Sequence, residues 1–270
     1  MLQRHRARGG WGRIVTAALL LVAAPLAFAA NALFPRPLHL VRLVDDGLSR
    51  TTATLDEYCL GNRVITIRGA RVTIADYDAQ QLTEIDHLAQ TWSVTPFADI
   101  AKSRADLDTR LGAAFEPHPA RLTAVGSNAS SAVETFVVDA PHRRLQIGID
   151  RRVVLSRAAA EVLIGAAYPG QGDAEQEEIL AAAGGGGVSA MSAGAAVGGT
   201  YGLVTERTLT IDVEGTQLVS HNAIIRIGDE MPPAEATLID PGAKRIESRL
   251  TRLTRELREI DTLPSTKPQH

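Results

Sequence analysis

A single cysteine, Cys59, stands in 270 residues, so no intramolecular disulfide can staple this fold and its stability has to come from a packed core. A lone thiol of this kind reads as a small buried hydrophobe rather than as a reactive group. Metal-binding patterns are missing as well. The seven histidines, at 5, 39, 87, 118, 142, 221 and 270, contain no H-E-x-x-H or H-x-H arrangement and no pair one helical turn apart. There is no G-x-S-x-G elbow and no S-x-x-K, which removes the usual serine nucleophiles. Only Ser189 and Ser192, in a Gly/Ala-rich stretch, have suggestive surroundings, and flexible small residues account for them equally well. The expectation is a protein that is not an enzyme, with no catalytic residue, no metal ligand and no cofactor.

Past residue 30 no apolar run is long enough to span a bilayer. Before it, Arg4, Arg6, Arg8 and Arg13 precede an uncharged stretch, Ile14 to Ala30, that ends in Ala27-Phe28-Ala29 behind Pro25. A basic n-region, an apolar h-region and small residues at the end form a secretory signal peptide, with cleavage expected after Ala29 and a periplasmic destination. The competing expectation is an uncleaved anchor in the inner membrane, although seventeen residues sit at the short limit of a span. Cleavage removes four of the 28 basic residues and none of the 31 acidic ones, moving the formal charge from -3 to -7. A nucleic-acid partner is excluded on that balance.

After the entry segment 30–37, turn residues divide the chain into short runs of strand composition: Leu38 to Val44, Thr51 to Cys59, Val64 to Ile67, Arg71 to Ala75, Gln81 to Ile85 and Thr91 to Thr95. Alternation is clear in Arg71-Val72-Thr73-Ile74, so these runs predict an antiparallel meander with one covered face. A helix follows at 97–115, then strands at 120–125, 132–138 and 144–149, a helix at 156–167 with Ser156 as N-cap, and a shorter helix at 171–183. Residues 184–199 hold Gly184 to Gly187, Gly194, Gly198 and Gly199. They lack both a Gly-Lys-Ser/Thr ending and any basic residue, and read as a flexible loop rather than a phosphate loop. Two strands, 203–214 and 217–228, meet at Glu214-Gly215-Thr216 as a hairpin.

Ile246, Leu250, Leu253, Leu257 and Ile260 recur at steps of four, three, four and three, the stripe of an amphipathic helix over 243–261, ahead of a disordered tail at 262–270. The stripe packs on its own domain or contacts a partner or membrane surface; both readings stay open. Asp76, Asp78, Glu84 and Asp86 cluster around one hairpin without the spacing of a calcium loop, and turn chemistry accounts for them. Arg143-Arg144 and Arg151-Arg152 flank one strand and read as solvated strand ends.

Residues 57–97 carry a distinctive unit: a strand pair, the turn Asp76-Tyr77-Asp78, a segment running from Ile85-Asp86 to Thr91-Trp92, and an aromatic at Thr95-Pro96-Phe97. It resembles a family of exported bacterial proteins of unknown function that are similar to the lipoprotein carriers LolA and LolB. Later pieces keep the order: Glu134 to Val138 with Arg144 to Ile149, the helix 155–168, Gly202-Leu203-Val204, and Ile239-Asp240-Pro241-Gly242-Ala243-Lys244, where Ala243 replaces the usual aromatic. The resemblance implies an α+β fold over 38–242: a curved antiparallel sheet forming an unclosed half-barrel, with helices covering its concave face. It also implies a ligand site for a lipid, a lipoprotein or another apolar molecule. The residues placed there are Ile67, Ile74, Ile85, Trp92, Val94 and Phe97. The alternative is an envelope interaction or sensor module, tethered if residues 14–30 are retained, whose core is self-filled and whose Ile246, Leu250, Leu253, Leu257 and Ile260 bind a partner.

Overall fold

Between 71 and 96 the buried side chains alternate along the chain, at Val72, Ile74 and Asp76, at Thr83 and Ile85, and at Ser93 and Thr95, and the turns between these strands repeat one device. The computed structural model describes residues 32–46, 51–103, 121–124, 133–140, 142–167, 173–184 and 200–252. The first six strands are β1 (Phe34–Asp46), β2 (Thr51–Gly61), β3 (Arg63–Arg68), β4 (Arg71–Asp76), β5 (Gln81–Asp86) and β6 (Thr91–Pro96). At the β4–β5 turn Asp76 Oδ1 accepts the backbone N–H of Asp78 and Ala79 at 3.0 and 2.9 Å, and at the next turn Asp86 Oδ1 accepts that of Ala89 at 2.9 Å. Such carboxylate-closed turns let Gln80 and Gln90 adopt φ of 52° and 50°.

Residues 97–103 are helical, and the remainder of the predicted 97–115 helix lies outside the described residues. The second half contributes β7 (Arg121–Ala124), β8 (Val133–Ala140), β9 (Arg143–Leu155), α1 (Arg157–Ala167), α2 (Asp173–Ala183), β10 (Tyr201–Val213) and β11 (Thr216–Gly228). Ser156 caps α1 as expected, its Oγ accepting the N–H of Ala159 at 3.1 Å. The β10–β11 turn places Glu214 and Gly215 at φ 52° and 82°, the two left-handed positions of a type I′ hairpin. A single helical turn, α3 (Glu235–Leu238), and a two-residue strand, β12 (Lys244–Arg245), complete the set.

One point departs from the sequence reading at each end of this half. β9 runs on through Leu155, so Arg151-Arg152 lies inside a strand and not at its end. Arg151 donates to the carbonyls of Ala182 and Ala183 at the end of α2, where a cation meets the negative end of the helix, and pairs with Glu134. The stripe that predicts a helix from 243 is interrupted: Lys244–Arg245 is a strand, and helix begins at Arg249, with Ser248 Oγ accepting the N–H of Thr251 at 3.1 Å.

The strands form one twelve-stranded sheet in the order β12-β6-β5-β4-β3-β2-β1-β11-β10-β9-β8-β7, antiparallel except for the β12–β6 pair. Among the described residues β7 and β12 do not pair with each other, so the sheet stays open. α1 and α2 cover one face. Ala159 and Leu163 meet Phe34, Leu40, Cys59, Val64 and Leu203, while Ala160, Ile164, Ile179 and Leu180 meet Phe136, Leu145, Ile147 and Ile149. The opposite face of β3 to β5 carries Ile65, Val72, Ile74 and Ile85 beneath Leu238. Each such aliphatic side chain withdrawn from water is worth about 1.5 to 3 kcal/mol.

Candidate functional site

Residues 229–246, a strap that leaves the end of β11 and finishes as β12, cross the face opposite to α1 and α2. Leu238 sits on the Ile65–Ile74–Ile85 cluster, Asp240 Oδ2 lies 2.9 Å from His87 Nδ1, and the N–H groups of Lys244 and Ile246 donate to the carbonyls of Gln90 and Trp92. The Arg245 guanidinium stacks over the Trp92 ring at 5.1 Å.

Where β11 approaches the strap, it parts from β10. Their last rung is Glu206 with Ala223. Beyond it, among the described residues, Ile224 to Gly228 pair only with β1, and Tyr201 to Val204 only with β9. Register shifts accompany the split, between Val41 and Arg42, between Gly202 and Leu203, and between Val204 and Glu206. Gly202 makes this bend close: a Cβ there would lie 2.6 Å from Ile149 Cγ2 and 3.1 Å from the Asp150 carbonyl oxygen.

The parted strands leave an open groove of about 620 Å³ whose lining includes Val133 and Thr135 of β8, Asp150 and Arg152 of β9, Thr205 of β10, and Ile225 to Ile227 of β11. Ile225 and Ile227 are 59% and 41% exposed, large aliphatics without cover. Asp150 is held by Arg152, which donates to it from Nε at 3.0 Å and from its own backbone N–H at 2.9 Å. That guanidinium hydrogen bond, opposed by burial, holds the Asp150 carboxyl below the usual range. Glu206 lies 3.2 Å from His221 and Arg226 pairs with Glu230 at 2.9 Å, so the rim is polar.

The helix-covered face is different. Arg42 Nε donates to Glu57 Oε2 at 2.7 Å with both side chains 2% exposed. The cavity beside this pair, under Ala160, Leu163 and Ile164, holds about 10 Å³. That is the volume of at most one water. Cys59 lies alongside, and burial, followed by the nearby Glu57 carboxylate, pushes its thiol far above the ordinary range.

The candidate ligand positions fall as follows. Ile67, Ile74, Ile85, Trp92 and Val94 share the strap-covered face, and Ile74 and Ile85 are buried there with Leu238. Phe97 follows β6 and packs its ring 5.3 Å from that of Tyr77. Of the partner-binding stripe, Ile246 is 43% exposed and Leu250 half-buried; Leu253, Leu257 and Ile260 lie outside the described residues, as do Ala27 and Ala29. Among the described residues no group of three or more His, Cys, Asp or Glu is disposed to hold a metal ion. Sequence reasoning did not find the groove, whose trace in the chain is no more than Gly202 and the short aliphatic segment Ala223-Ile224-Ile225.

No family model matches the chain, and no curated protein matches it in sequence. Solved structures similar to it include two crystal forms of PNGF-II, at 7% and 8% identity and TM-scores of 0.36 and 0.37, covering 83% and 82% of this chain. MucB in complex with MucA(peri) is similar at 12% identity and a TM-score of 0.33 over 82% of this chain. The chain spans 33% of the PNGF-II chain and 60% of the MucB chain.

Proposed function

We propose that this chain is a non-enzymatic interaction module of the cell envelope, built on an open LolA/LolB-like half-barrel that its own helices fill. On this reading its partner is a protein, docked as an extended segment in the groove between β10 and β11. One contrast carries the reading: the helix-covered interior leaves about 10 Å³ beside Arg42, whereas the groove offers about 620 Å³. Volumes of several hundred cubic ångströms are those of ligand pockets. The groove walls explain the choice of a polypeptide. Ile224 to Gly228, of which Ile225 to Ile227 line the groove, have one edge without a strand partner among the described residues, and a strand edge is satisfied by another main chain. Ile225 and Ile227 supply apolar contacts. A lipid carried under the helices requires α1 to leave a surface that it seals with Ala159, Ala160, Leu163 and Ile164, which this reading does not need. The Arg-rich N-terminus supports export, cleaved or retained.

The test is a photo-crosslinking residue in place of Ile225 in the full chain, expressed in a didermic bacterium, with adducts mapped by mass spectrometry and native mass spectrometry run alongside. The reading expects a polypeptide adduct through one contiguous segment, lost on Ile227→Asp and kept on Val213→Asp at the far hairpin tip. A co-purified lipid with no polypeptide adduct overturns it.

A further inference from the structure

His39 lies on β1 and is 2% exposed, yet both of its ring nitrogens face carboxylates. Nε2 is 2.9 Å from Asp56 Oδ1 on β2 and Nδ1 is 3.0 Å from Glu230 Oε2 on the strap. The ring stacks on Tyr58 with centroids 4.0 Å apart and planes 6° from parallel. From β11, an Arg226 terminal nitrogen approaches Nδ1 to 3.3 Å. These four groups, Asp56, Tyr58, Arg226 and Glu230, are what the described elements bring to the ring. A neutral imidazole carries one N–H and can donate to one carboxylate only, whereas the imidazolium donates to both. Nδ1 therefore has two exclusive partners. Protonated, it donates to Glu230; unprotonated, it accepts from Arg226.

Glu230 is the first anchor of the strap, and the second polar anchor is also a histidine–carboxylate pair, Asp240 Oδ2 lying 2.9 Å from His87 Nδ1; facing one carboxylate, the His87 ring loses the charge attraction but not the hydrogen bond when it gives up its proton. Between the two clasps lies Leu238, the side chain that covers Ile65, Ile74 and Ile85. We propose that His39 and His87 form a proton-operated clasp on the strap, closed when both rings are charged and loosened when they lose their protons. Loosening uncovers the Ile65–Ile74–Ile85 face and turns Arg226, a wall residue of the groove, toward the His39 ring. The device is independent of what the groove binds. Glu230 stays charged across the range in which imidazoles titrate: a hydrogen bond from its own backbone N–H, then the one from His39, hold its carboxyl below the usual range.

The experiment is hydrogen exchange of the full chain read by mass spectrometry, comparing peptides of 229–246 with peptides of β3 to β5 and correcting for intrinsic exchange. Strap protection in the wild type is expected to fall by about tenfold or more between roughly pH 5 and pH 8, while β3 to β5 change little. His39→Gln/His87→Gln, and separately Glu230→Gln/Asp240→Asn, are expected to leave the strap labile at both pH values. The second pair alters exposed carboxylates and keeps the buried ring, so it remains readable if the histidine variant does not fold. Wild-type strap protection that does not change with pH, or the same pH dependence in the carboxylate variant, overturns the proposal.

Discussion

Replacing Glu57 by Gln keeps the shape of the side chain and removes the negative charge opposite Arg42, which is the cleanest perturbation of the buried interior. Both partners are 2% exposed and 2.7 Å apart, and the neighbouring 10 Å³ cavity has room for at most one water to solvate the guanidinium once the carboxylate charge is gone. Breaking a buried pair from one side costs about 3 to 5 kcal/mol, because the remaining charge keeps its desolvation penalty and loses its partner. For a domain of this size each kcal/mol moves the melting temperature by about 2 to 4 °C, so the expected drop is about 6 to 20 °C. The double variant Arg42→Met/Glu57→Leu removes both charges and is expected within about 1 kcal/mol of the wild type, since apolar replacements of similar volume are often neutral or better. Urea and thermal melts followed by circular dichroism measure both. Cys59 gives a second readout: its buried, up-shifted thiol is expected to react with a disulfide reagent only after unfolding, and earlier along the urea axis in Glu57→Gln. A single variant within 1 kcal/mol of the wild type, or a double variant as unstable as the single one, refutes the account of this interior.

Leu163→Ala is expected to cost about 2 to 5 kcal/mol in the same melts, because it opens a void where α1 meets Leu40, Cys59 and Leu203. Gly202→Ala forces a Cβ against Ile149 and the Asp150 carbonyl, so a loss of about 1 to 3 kcal/mol and weaker crosslinking at Ile225 are expected together. Asp76 tests the turn device by pH. Burial works to raise its carboxyl, but the Ala79 N–H, the Arg63 guanidinium and the Asp78 N–H outweigh it and hold it below the ordinary value. A depressed carboxyl stabilises fully above the unfolded value of about 3.9 and loses that contribution as pH falls through the lower folded value. The stability gap between wild type and Asp76→Asn should thus be constant near neutrality and shrink below about pH 4. A gap that widens in acid contradicts the assignment.

The strand and helix series was legible because it depends on neighbours in the chain. Apolar alternation at 63–96, Ser156 ahead of α1 and Glu214-Gly215-Thr216 each declare their element within a few residues. The same local logic misread two places. The 246–260 stripe predicts helix from 243, yet Lys244 and Arg245 are drawn into pairing with Thr91 and Trp92, about 150 positions away in sequence. Composition ends a strand at Ile149, whereas β9 continues because Tyr201 and Gly202 of β10 pair with Leu155 and Val154.

The candidate site was hardly legible at all. It is built where a strand order of β11-β10-β9-β8 brings together Ile225, Thr205, Asp150 and Val133, residues with no shared motif. His39, Asp56 and Glu230 lie as much as 191 positions apart, and nothing in their spacing announces a clasp. The scarcity of cysteine, the arginines ahead of an apolar run in the first 30 residues, the charge balance and the order of elements are properties of the sequence by itself, since they follow from composition and from interactions within a turn or two. Which face each strand buries, where β10 and β11 part, and which carboxylates meet a buried histidine were decided only by tertiary structure. The physical reason is that long-range pairing sets register and burial, and the groove and the clasp consist of nothing else.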